Sequence, residues 1–133
     1  MIEKEFIPYE QALALKVLGF DDKCCGAYDK KYKLTMATSD YLDNSSLCRL
    51  NDYFGSNTYR CLAPLYQQAF RWFRENYNID SMIDKNTKNE YFGNKHYHKL
   101  SKEYETITKG FKTYEEAELE CLKKLIELCT ILK

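Results

Sequence analysis

His96 and His98 are the most metal-like pair in the chain. On a strand, positions i and i+2 face the same side, so both imidazoles could hold one divalent ion. No cysteine or carboxylate stands at a recognisable zinc spacing to complete the set, so two surface histidines are the plainer reading and no metal is expected. Cys24 and Cys25 are adjacent rather than spaced as C-x-x-C, and on a strand they point to opposite faces. A nucleophilic cysteine needs a base beside it, and nothing in the spacing brings either histidine to a thiol. Glu118 falls within the apolar arc of a predicted helix. It reads either as a carboxylate aimed into a pocket or, more simply, as a first-turn glutamate favoured by the helix dipole.

A further pattern is mixed basic and aromatic. Lys85, Lys88, Lys95, Lys99 and Lys102 interleave with Tyr91, Phe92, Tyr97 and Tyr104. Such a strip on strands can stack bases and neutralise phosphates, with Lys95 and Tyr97 at its centre. It is equally the pattern of a solvated strand pair with one buried aromatic face. Phosphate-cradling glycine loops, a serine triad and paired catalytic carboxylates are not recognisable, so no enzyme is expected. No cofactor is expected either.

Composition sets the class of object. The chain has 133 residues, and its length fits one domain, residues 1–133. Twenty basic residues balance twenty acidic ones, which argues against coating nucleic acid or an anionic membrane. No segment has the run of ~20 apolar residues that a membrane helix needs. The amino-terminal residues show no basic-then-apolar leader, so reduced thiols in a cytoplasm are expected for the six cysteines.

The elements follow from periodicity. Pro8, then residues 9 to 18, then Gly19 and Phe20, read as a helix with its start and stop signals. Residues 24 to 28 and 32 to 36 flank Asp29-Lys30-Lys31 as a hairpin without the favoured Asn-Gly turn. Residues 37 to 61 are polar with no clear apolar period and read as a long loop or an irregular strand. A helix opened by Pro64 runs to about Tyr77 with a broad apolar arc. A second strand pair surrounds residues 85–88, and a further strand is expected near 103–107. Thr113 with Glu116 forms a capping box for a final helix whose apolar face runs from Leu119 to Leu132. The order α-ββ-α-ββ(β)-α predicts an α+β fold, an antiparallel sheet covered by helices.

Three segments carry a resemblance: 63–75 around Trp72, 113–126 with Tyr114-Glu115-Glu116-Ala117, and the opening Phe6-Ile7-Pro8-Tyr9-Glu10-Gln11-Ala12-Leu13 followed by Leu18-Gly19-Phe20-Asp21. They resemble small proteins of phages and prophages of gut Bacteroidales, and the arrangement is similar to the phage ABA sandwich domain. Together they span roughly a third of the chain. The resemblance implies a non-enzymatic accessory protein in the bacterial host cytoplasm that binds a host or phage protein, counter-defence included. A homo-oligomer is compatible with this, and a nucleotide or nucleic acid is the lesser candidate partner. The surface expected to bind is the aromatic set Tyr41, Tyr53, Phe54 and Tyr59 among polar residues. The alternative is a small-ligand or nucleotide-sequestering protein using residues 85–104.

Overall fold

The structure is a computed structural model that describes residues 2–37, 41–55, 58–97 and 105–132. The chain divides into two compact units, Met1–Leu65 and Tyr66–Lys133. The α+β class expected from the order of elements holds. The strands, however, form two three-stranded antiparallel sheets among the described residues rather than one sheet.

The first unit begins with a single 3-10 turn, Ile2–Glu5, and helix α1, Tyr9–Leu18. Pro8 is the residue before the helix rather than its first turn, with extended backbone. Gly19 closes α1 in the left-handed region, φ 104°. Its amide donates to the Lys16 carbonyl at 3.0 Å and the Phe20 amide to the Leu15 carbonyl at 2.9 Å. This paired closure turns the chain so that Phe20 is buried against the helix it leaves. Strands β1 (Gly26–Asp29), β2 (Leu34–Met36) and β3 (Tyr59–Leu62) follow in the order β2-β1-β3. Helices α1 and α2 (Asn44–Phe54) both pack on β3. Ile7, Leu15, Phe20, Cys24, Ala27 and Cys61 are fully or almost fully buried here.

Residues 37 to 61 therefore correct the expectation of a loop, because most of them form α2 and the start of β3. Asp43 caps the helix by accepting from the Ser46 amide at 2.8 Å, and Gly55 ends it at φ 68°. Leu47, Leu50 and Phe54 supply an i, i+3, i+7 stripe too sparse to register against the polar residues around them, and Leu47 is buried.

The second unit packs two helices against its own sheet. Helix α3 is Tyr66–Tyr77, starting two residues beyond Pro64. Strands β4 (Ile79–Lys85), β5 (Tyr91–Tyr97) and β6 (Glu105–Phe111) lie in the order β4-β5-β6. The α3 arc buries Tyr66, Ala69, Trp72 and Phe73. Helix α4, Tyr114–Leu132, starts at the Thr113 cap, whose hydroxyl accepts from the Glu116 amide at 3.2 Å. It buries Ala117, Cys121, Leu122, Leu125 and Cys129. Leu132, expected on that face, is exposed, as is Ile131 beside it at the end of the helix.

Candidate functional site

The expected aromatic surface separates into exposed and packed members. Tyr41 is 63% and Tyr53 is 83% exposed, the latter among the large apolar side chains most open to solvent. Tyr59 is half-buried in β3, and its backbone is held on both sides by Asn51 of α2. The Tyr59 amide donates to Asn51 Oδ1 at 2.8 Å, and Asn51 Nδ2 donates to the Tyr59 carbonyl at 3.1 Å. One asparagine thus fixes how the helix bearing Tyr53 and Phe54 meets the strand bearing Tyr59. Phe54 is the last residue of α2, and its side chain lies outside the described residues. Lys95 and Tyr97 are backbone positions of β5 whose side chains also lie outside the described residues. They belong to the second unit, whereas Tyr41, Tyr53, Phe54 and Tyr59 belong to the first.

The described part of the 85–104 strip is internally engaged. The Lys85 ammonium sits 5.5 Å over the Tyr91 ring, and Tyr91 meets Tyr114 edge-on at 6.0 Å. His98, Lys99, Lys102 and Tyr104 lie outside the described residues, as does the side chain of His96. Among the described residues no group of three His, Cys, Asp or Glu side chains could hold a metal ion.

A cleft at the tip of the first hairpin is the feature that the spacing of residues did not announce. It is a shallow, open cleft of about 400 Å³ lined by Pro8, Tyr9, Glu10 and Tyr32. Its shape follows from a tyrosine stack. The Tyr28 hydroxyl donates to the Ile7 carbonyl at 2.6 Å, which anchors a buried ring on β1. Tyr9 stands edge-on to Tyr28 at 5.7 Å, and Tyr32 meets Tyr9 at 4.5 Å with the planes at 69°. Tyr9 is half-buried, whereas Tyr32 is 68% exposed.

Tyr32 is held there by an unusual backbone. The Asp29 carboxylate accepts from the Lys31 and Lys33 amides at 2.8 and 3.0 Å, closing the turn on itself. The fourth residue of that turn, Tyr32, has φ 66°. A bulky residue in the left-handed region costs roughly 1–2 kcal/mol relative to the ordinary helical region. The legible signal was Lys30-Lys31-Tyr32-Lys33 itself, an aromatic where a turn favours Gly or Asn.

Four of the six thiols are chemically quiet. Cys24, Cys61, Cys121 and Cys129 are buried, Cys25 is half-buried and Cys48 is exposed, all six unbridged. Burial pushes the Cys24, Cys121 and Cys129 thiols up to about 12, and Cys61 to about 11. At neutral pH these four hold their protons and are poor nucleophiles.

No helix among the described residues is long and apolar enough to cross a membrane. Comparison with known proteins adds no relative: no protein family, curated protein or solved structure matches this chain.

Proposed function

We propose that this chain is a non-catalytic accessory protein of a phage or prophage that binds a host or phage protein, as a counter-defence factor would. The observation that carries the binding half of this reading is the exposure of Tyr41 and Tyr53 around helix α2. Large, rigid aromatic side chains left in water lose little entropy on contact and often dominate protein interfaces. Phage origin rests on the resemblance of residues 6–21, 63–75 and 113–126. The reading is tested by affinity capture from the bacterial host with the intact chain and with Tyr41→Ala/Tyr53→Ala. The double variant keeps its fold by circular dichroism, and a partner specific to this surface is lost by about 30-fold in affinity, the scale of two hot-spot kilocalories. Tyr59→Ala is the packing control, since Tyr59 is half-buried. Capture that is identical for wild type and double variant would remove the surface from consideration.

A further inference from the structure

The turn that holds Tyr32 is built twice in this chain. At residues 29–33 the Asp29 amide donates to the Lys33 carbonyl at 3.0 Å and the Tyr32 amide to the Asp29 carbonyl at 3.1 Å. At residues 86–90 the Asn86 amide donates to the Glu90 carbonyl at 2.8 Å and the Asn89 amide to the Asn86 carbonyl at 3.1 Å. The Asn86 side-chain oxygen accepts from the Lys88 and Glu90 amides, both at 2.9 Å, as Asp29 does from Lys31 and Lys33. In both turns the fourth residue is left-handed: Asn89 at φ 61°, Tyr32 at φ 66°. Asn suits that backbone and Tyr does not. Closing the turn is thus no reason for a tyrosine; its ring, though largely exposed, packs edge-on against Tyr9.

What the ring does is wall the cleft, and we propose that this cleft binds one nucleotide unit, a base against the Tyr9 and Tyr32 rings with its phosphate toward the lysines of the turn. Two tyrosines at 69° form a corner in which a planar base lies on one ring and turns its edge to the other. A volume of about 400 Å³ suits a single nucleotide. The charge fits as well. Lys30, Lys31 and Lys33 are exposed and make up half of the six lysines of residues 1–65. The Asp29 carboxylate is turned onto two backbone amides of its own loop. Glu10, the acidic lining residue, accepts hydrogen bonds and so favours bases that present an amino group, adenine, guanine or cytosine, over uracil. A cationic ligand, the other partner that tyrosine faces attract, would meet the three ammonium groups of the turn. The zero net charge restricts the site to a local one rather than a nucleic-acid track. This inference does not depend on a protein partner.

The test is calorimetric titration of the full chain with AMP, GMP, CMP, UMP and adenosine, alongside Tyr32→Asn, Lys30→Ala/Lys31→Ala/Lys33→Ala and Glu10→Gln. Tyr32→Asn copies the sister turn, and its better backbone fit roughly offsets the lost Tyr9 contact. Its melting point therefore stays close to that of wild type while it loses about tenfold or more in affinity. The triple lysine variant binds AMP no better than adenosine, and Glu10→Gln lets UMP approach the others. A tetranucleotide that binds about as AMP does assigns the site to free nucleotides, and one that binds about tenfold tighter assigns it to single-stranded ends. Both keep the inference. Unchanged AMP binding by Tyr32→Asn overturns it, as does the absence of heat with all four monophosphates at millimolar concentration, or tighter binding of arginine methyl ester than of AMP.

Discussion

A thiol taken out of water keeps its proton, and this chain does so at four places. In the unfolded chain such a cysteine ionises around its ordinary value of 9.0, whereas Cys24, Cys121 and Cys129 are raised to about 12 in the fold. The folded state therefore holds more protons than the unfolded one above that ordinary value. The stability tied to these thiols is whole below it and is lost as pH climbs toward the raised values. Urea midpoints under reductant should fall from pH 8 to pH 10.5, and replacing Cys121 and Cys129 by Ala should flatten part of that fall. A neutral-pH thiol reagent should modify Cys48 first and Cys25 more slowly, while the four buried thiols react only on unfolding. Tyr28→Phe removes one hydroxyl from a buried pair with the Ile7 carbonyl and should cost about 1–3 kcal/mol in urea unfolding. Residue types alone exposed the quiet thiols and the capping hydroxyl of Thr113. They hid the stack of Tyr28, Tyr9 and Tyr32, because its members come from a strand, a helix start and a turn that only the folded chain brings together.

Helices with strong local signals were legible, and the helix without them was not. Gly19 and Phe20 after residues 9–18 form their closing hydrogen bonds as the spacing predicts, and of the Thr113 and Glu116 box before the last helix the bond from the Glu116 amide to the Thr113 hydroxyl forms. Helix α2 has its own local device in Asp43 and Ser46, yet its apolar stripe is thin and its other face is Asn, Ser and Asp, residues that equally mark loops. Tertiary packing on β3 decides the matter, and packing is not written in a short window. Asp43→Ala should accordingly cost about 1 kcal/mol, read from urea unfolding. Leu122→Ala in α4, where the side chain is fully buried, should cost about 2–5 kcal/mol in the same experiment. The difference in size separates an element held by its end from one held by its face.

For the whole molecule, the alternation of helices and strands was enough to reach the α+β class, but not the partition of its strands. The four or five strands read as one sheet by order become, among the described residues, two sets of three: β4-β5-β6 pairs neighbours in sequence, whereas β3 reaches back past α2 to pair with β1. Sheet membership depends on which edges meet, and periodicity carries no information about edges. The candidate site was legible to the same limited extent: exposed tyrosines were found by composition, the cleft only by geometry. The repeated turn has a consequence of its own. Its two copies are closed by different chemistries, an ionised carboxylate at Asp29 and a neutral amide at Asn86. Hydrogen bonds from the Lys33 and Lys31 amides hold the Asp29 carboxyl below its ordinary value, so the closure is complete at neutral pH and is lost as acid protonates it. The Asn86 closure has no proton to gain. Acid should therefore loosen one hairpin and spare the other: the Lys31 amide resonance should titrate while that of Lys88 holds still, and Asp29→Asn should make the two behave alike.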